Sequence, residues 1–413
     1  MRKLLTYFLT LLVCFSFPLL EASAHEDHSN LQKSSLAMNV AFDAQGKLWR
    51  VVEKNGLIWV DASHDLGQIF SKPVQINPTT QKIVPDGEAR PKIALGPEGN
   101  IYLTWTEALK KPFSGSIWFS RSIDAGKTFE TPIIVHQDRA EITHRFDSLD
   151  VSQYGDAKGN ITVTWVDKRD LIAAKAAKKS DAKKTDEGAA IYYAISTDKG
   201  VSFAPEQKLA DSSCECCRIA LTNKPDGTAV AMWCHVFEGG ERDHMMAEIP
   251  AQASQAPVLK RATFGRWKID GCPHHGAALA RGGEGKDWWG YHMAWFDGGN
   301  DESGKDAGLF YARMDGEAWV SSPPKKFGNH KNQADHPALL SMGDKVWLVW
   351  RESEAKHNSI VGMFSDDGGR SWGDAKALAT SSGKVDYSQL LSSNNQVYLV
   401  WNTEKENLQV IPL

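Results

Sequence analysis

The sequence is short of cysteine, of surplus basic charge and of apolar runs long enough to cross a bilayer. Six cysteines in 413 residues are too few to staple a chain of this size, so its core is hydrophobic rather than a disulfide scaffold. Forty-seven Lys and Arg against 51 Asp and Glu give a formal net charge of -4, which leaves no basic footprint for nucleic acid. Beyond the first two dozen residues, no apolar stretch approaches the ~20 residues of a spanning helix. A 42% hydrophobic fraction with 10% aromatics is globular, and at about 100–200 residues per domain the length allows two or three domains. Closed all-β rings are the exception, since one ring absorbs such a length. Tryptophan is the residue in surplus, with 15 copies.

The N-terminus carries a targeting pattern. Arg2 and Lys3 precede an apolar stretch from Leu4 to Leu20, and Ala22-Ser23-Ala24 forms an A-x-A site. This predicts a signal peptide over 1–24, cleaved after Ala24, and a secreted or periplasmic chain over 25–413 that does not span the membrane. In that oxidising setting, disulfides are the default for Cys214, Cys216, Cys217, Cys234 and Cys272. An odd number leaves one thiol over.

One unit recurs along the chain: apolar alternation, a Gly or Asn turn, then a second strand usually ending in Trp, so that the residues after each Trp are expected in loops at the axial face. The copies occupy 37–52, 89–105, 147–165, 217–233, 275–295, 336–350 and 387–401. Val52 takes the Trp position in the first. Trp105, Trp165, Trp233, Trp295, Trp350 and Trp401 take it in the others, 51 to 68 residues apart. Period-2 patterning around a turn is a hairpin signal, and repetition at this interval means blades. A third strand follows each hairpin, as in SIWFSRS and AIYYAIS. The expectation is an all-β, single-domain β-propeller, with seven blades favoured over six. Residues 30–37 are expected to complete the last blade. A low-complexity insertion at 169–190, rich in Ala, Lys and Asp, is expected to be a solvated segment with a short helix.

After four of the third strands comes S-x-D-x-G-x-x-[FW], at 63–70, 122–129, 196–203 and 365–372. The Asp suits backbone N–H groups, the Gly supplies positive φ, and the aromatic packs back on the blade. These motifs resemble the Asp-box (BNR) repeats of the sialidase superfamily of β-propellers, and the likeness covers nearly all of 25–413. It implies a glycan or small-molecule ligand at the axial face and, for an enzyme, exo-glycosidase chemistry.

The resemblance also implies roles for particular residues. Tyr387 in DYSQL matches the family's nucleophilic tyrosine, with Glu352 or Glu107 as its base and Asp147 as acid/base. Arg90 in ARPKIAL resembles the first of three arginines that hold a substrate carboxylate, a task suited to a bidentate guanidinium. The inner strands where the other two belong carry His274-His275 and His336 instead. Arg145, Arg218 and Arg351 are the remaining candidates, so the arginine triad is incomplete.

Cysteines and histidines support a rival expectation. DSSCECCRIAL and DGCPHHGAALA begin adjacent inner strands. Cys214, Cys216, Cys217 and Cys272 are candidates for disulfides between them. Alternatively Cys216, Cys217, Cys272, His274, His275 and His336 form a metal site, since thiolates and imidazoles suit Cu or Zn. The third possibility is a binding scaffold without catalysis. The sequence specifies no oligomeric state.

Overall fold

The computed structural model describes residues 36–413 except 86, 178–187, 252–254, 270, 272–273 and 302–304. The expected signal peptide, residues 30–35, Cys272 and most of the insertion lie outside these residues. Among the described residues, no helix is long and apolar enough to cross a membrane.

Among the described residues, seven antiparallel hairpins follow one another along the chain. Their inner and second strands are Met38–Phe42 with Leu48–Lys54, Lys92–Leu95 with Ile101–Ala108, and His144–Val151 with Ile161–Asp167. Next come Ala220–Asn223 with Ala229–Phe237, and Ala278–Gly282 with Gly290–Asp297. Asp335–Met342 with Lys345–Glu354 and Gln389–Ser393 with Gln396–Thr403 complete the series. Third strands extend each sheet outward, for example Gly115–Ser122 and Ala189–Ser196. The third and fourth units are joined into one nine-stranded sheet by the pair Ser213–His235. Each inner strand touches the next, and the last touches the first, so the hairpins form a closed ring.

Seven apolar clusters fill the spaces between neighbouring units. Each holds the predicted Trp of its unit, or Val52 between the last and first. Trp105, Trp165, Trp233, Trp350 and Trp401 are essentially inaccessible to water, and truncating such a residue costs about 3–5 kcal/mol. The Trp does not end its strand, however. The second strands run on beyond it to Ala108, Asp167, Phe237, Asp297, Glu354 and Thr403, so the residues expected in post-Trp loops are strand residues. Their acids satisfy indoles: Asp167 accepts from Trp165 Nε1 (3.0 Å) and Glu352 from Trp350 Nε1 (2.8 Å).

The four serine–aspartate turns are near-identical. In each, the Ser Oγ accepts from the Gly N–H at 2.8–2.9 Å, and the Asp carboxylate accepts from a backbone N–H four residues on. The hydroxyl and backbone N–H of Thr128 hold the Asp124 carboxyl at about 2, and, against burial, those of Ser202 do the same for Asp198. The glycines are required twice over. Gly126 and Gly200 have φ of 76° and 82°, and a Cβ there would come within 2.4 Å of Trp49 or 2.7 Å of Phe119 on the preceding unit. The turns therefore seal one unit against the one before it.

The last sheet has three strands, ending with Asn407–Pro412. Leu36 and Ala37 are not in a strand, although Leu36 O accepts from Asn402 Nδ2 at 2.8 Å. The ring closes through side chains: Asn39 Nδ2 and Val40 N donate to Gln389 Oε1, and Met38 N to Asp386. The insertion begins as a helix, Arg169–Ala177, anchored by Arg169 on Asp167 and Glu206.

Candidate functional site

The starts of the inner strands converge on the axis, and there the units stop resembling one another. The second unit brings Glu88 and Arg90, the fourth Arg218, the fifth His275, the sixth Asp335, His336 and Arg351, and the seventh Asp386 and Tyr387. Glu88 reaches across the ring. Its Oε2 accepts from Arg218 N at 2.9 Å, and its Oε1, buried without a hydrogen bond, lies 3.5 Å from His336 Nε2. Burial pushes this carboxyl up, but the charges of Arg218, His336 and Arg90 prevail and hold it below its ordinary range.

Tyr387 lies at the centre. Its ring stacks on the His336 imidazole, with centroids 3.6 Å apart and planes 15° from parallel. The guanidiniums of Arg351 and Arg90 stand 5.2 and 5.5 Å from the ring centroid. Burial first, and the Glu88 charge second, push the phenol up to about 12, so it is neutral near pH 7 and needs a base to react. Gly87 permits the close passage of the second unit, since a Cβ there would overlap the Tyr387 ring. His336 is held in a left-handed backbone conformation, φ 49°, where the strand register breaks between Asp335 and Ala338. That conformation costs a β-strand residue roughly 1–3 kcal/mol, and it aims the imidazole at Tyr387 and Glu88.

The arginines are largely engaged. Arg90 closes on Asp386 through two 2.6 Å bonds and also donates to Met38 O and Gly87 O. Arg351 closes on Asp335 through Nε and Nη2 at 2.9 and 2.5 Å. Despite burial, His336 and Arg351 hold the Asp335 carboxyl far below its usual range. Arg218 ties the fifth unit to the fourth through Ala277 O. Arg145 lies over its own neighbour Phe146.

The predicted acids have other partners. Asp147 accepts from Thr104 and Thr106 on the second unit at 2.6 and 2.9 Å. Glu352 accepts from Trp350, Asn329 and Asn332. Glu107 accepts from Trp118 and Gln81. The charged groups that act on Tyr387 are Glu88, Arg351, Asp335 and Arg90. Sequence reasoning misses Glu88; its only signal is an acid two residues before Arg90, at the start of an inner strand.

Of the expected metal set, Cys272 lies outside the described residues, and among the others the histidines and the cysteines fall in separate groups. His275 and His336 cluster with Asp335, their ligand atoms within 4.8 Å. His275 packs on Phe296 at 4.1 Å, and burial, then His336, lowers its pKa to about 4. His274 stands beside it with φ 54°. The other group is Cys214, Cys216 and Cys217, with sulfurs 3.5, 3.8 and 4.0 Å apart. Cys234, from the middle of a strand, is a member that the sequence does not suggest. Its thiol contacts Cys214 and Cys217, which with burial push its pKa well up. Among the described residues no disulfide joins these cysteines, and the separations far exceed the about 2.05 Å of an S–S bond.

No family model and no curated protein matches the chain. Solved structures do. The polysaccharide lyase Uly1 aligns over 92% of this chain and 91% of its own, with TM-score 0.54 and 9% identity. The fold is a β-propeller. An inhibitor-bound mutant of the α-L-arabinofuranosidase Arb93a from Fusarium graminearum aligns over 80% and 92%, with TM-score 0.50 and 12% identity. The Hadza microbial sialidase Hz136 aligns over 87% and 74%, with TM-score 0.48 and 14% identity. At such identities the likeness is one of fold, and this propeller's chemistry has to be argued from its own axis.

Proposed function

We propose that the axial face binds a glycan and hydrolyses its terminal glycosidic bond, with Tyr387 as nucleophile and Glu88 as its base. The observation that carries this is a buried phenol stacked on His336, whose Nε2 lies 3.5 Å from the Glu88 oxygen that keeps no hydrogen bond. In the proposed step the Tyr387 oxygen bonds to the anomeric carbon and its proton passes to Glu88. The bond to the leaving oxygen breaks, and His336 protonates that oxygen. Water then bonds to the anomeric carbon and gives its proton to His336, while the bond to the Tyr387 oxygen breaks and that oxygen takes its proton back from Glu88. Arg90 and Arg351 are already closed onto carboxylates, so no arginine triad stands open for a sugar carboxylate. Glycans ending in uncharged sugars are therefore the expected substrates.

The test is a panel of glycosides ending in neutral sugars, uronic acids and sialic acid. The expected result is turnover on a neutral member. Glu88→Gln should lower kcat about 10²–10⁴-fold, the usual contribution of a general base, and Tyr387→Phe should abolish turnover with the fold intact. A silent panel, or full activity in Tyr387→Phe, ends the proposal. Export after cleavage at Ala24 belongs to the same proposal and predicts a mature chain starting at His25.

A further inference from the structure

The cysteine group lies apart from that chemistry. Cys214, Cys216 and Cys217 are 2–5% exposed and sit in the apolar cluster between the third and fourth units, among Phe146, Val166, Leu209 and Trp233. In a strand, adjacent Cys216 and Cys217 would point to opposite faces. Here residues 214–219 lie outside any strand, with a bend at 215–216. The Cys214 N–H is held by Cys234 O at 2.9 Å. The bend turns three sulfurs toward a common point.

The spacing of the sulfurs has a chemical meaning. With metal–sulfur bonds of about 2.3 Å, three sulfurs in the plane of an ion stand about 4.0 Å apart, and corners of a tetrahedron about 3.8 Å. The observed separations of 3.5, 3.8 and 4.0 Å fall around both figures. We propose that Cys214, Cys216 and Cys217 form a buried thiolate site for a thiophilic d¹⁰ cation. Three-coordinate Cu(I) is the first choice, and Cys234 is the fourth sulfur if the ion is Zn(II). Thiolates select both ions, and three sulfurs each within 4.0 Å of the other two fit the trigonal one. Binding exchanges each thiol proton for a metal–sulfur bond, with no change of oxidation state. Arg218, next in sequence to Cys217, donates its N–H to Glu88, so an ion here would fix the segment that holds the axial carboxylate.

The test uses the full mature chain, produced anaerobically with Cu(I) or Zn(II) alone supplied. Metal per chain is measured together with a thiol count after denaturation. One ion per chain, with the cysteines recovered as thiols, is expected. Retention of Cu(I) against a Cu(I)-specific chelator supports the trigonal form, and retention of Zn(II) supports the four-sulfur form. Cys216→Ser and, should it fold poorly, Cys216→Ala should lose the Cu(I), while His275→Ala/His336→Ala should keep it. Folding of each variant is checked by its melting curve. A folded wild-type chain without metal overturns the proposal, as does retention in both Cys216 variants or loss only in the histidine variant.

Discussion

The rim and the axis of this ring solve the same packing problem in opposite ways. At the rim, four turns repeat one set of hydrogen bonds, each sealing a unit against its predecessor. At the axis, seven strand starts present seven different sequences, and their polar groups bond between units, as Arg90 with Asp386 and Glu88 with Arg218, as well as within one, as Arg351 with Asp335. Repetition suffices where every neighbour is alike. Where all seven units meet, each residue has a different neighbour, and a mixed cluster of carboxylates, arginines, histidines and a tyrosine results.

Breaking a buried pair at the axis should give the largest effect on stability. Asp386→Ala leaves the Arg90 guanidinium, 7% exposed, without its carboxylate, at a cost of about 3–5 kcal/mol. Removing both charges in Asp386→Leu/Arg90→Met should cost much less, since a matched apolar replacement avoids the unpaired charge. Equal melting temperatures for the two variants would contradict the pairing.

Acid should destabilise both regions. Burial is the first cause that lowers His292 and His136 to about 3, and His235, His244 and His275 to about 4. Their ordinary value is near 6.5, so as pH falls below it the unfolded chain takes up protons that the folded chain refuses. The stabilisation is complete above about pH 6.5 and is lost progressively toward pH 4. Each such histidine removes about 1.4 kcal/mol for every pH unit crossed in that window. Melting temperature should therefore fall between pH 7 and pH 5. His292→Gln, which can still bond Tyr311 Oη (2.7 Å from His292 Nδ1), should flatten that slope.

The rim should show the smallest effect per site and the most uniform one. Ser122→Ala removes the acceptor of the buried Gly126 N–H and should cost about 1–2 kcal/mol. Ser196→Ala should cost the same within error, because the two turns share their geometry. Unequal costs would mean that the rim is less repetitive than its hydrogen bonds.

The rim is the legible part of the sequence. Period-2 hairpins, the recurring Trp and the Ser–Asp–Gly turn are local patterns, and each determines its own surroundings. At the centre of the axis Tyr387 is legible only through its resemblance to a family motif. Asp147 and Glu352 look like available acids because their partners, Thr104 and Thr106 or Asn329 and Asn332, come from other segments that no local pattern reveals. Glu88 escapes notice for the same reason in reverse, since its partners Arg218 and His336 lie 130 and 248 positions away. Cys234 is legible as one of the five cysteines that follow the expected signal peptide, but its place in a strand after Trp233 gives no sign that it meets Cys214 and Cys217.

The closure of the ring has a consequence for the order of events in the life of the chain. Met38 and Asn39 of the first unit meet Asp386 and Gln389 of the last, and Arg90 binds Asp386 directly beside Tyr387. The tyrosine is therefore made after the units that supply its surroundings, Glu88 and Arg90 of the second and His336 of the sixth. A partly folded or truncated chain can own every rim turn and still have no axial site. Competence at the axis is in this sense a checkpoint: it reports that the ring has been completed.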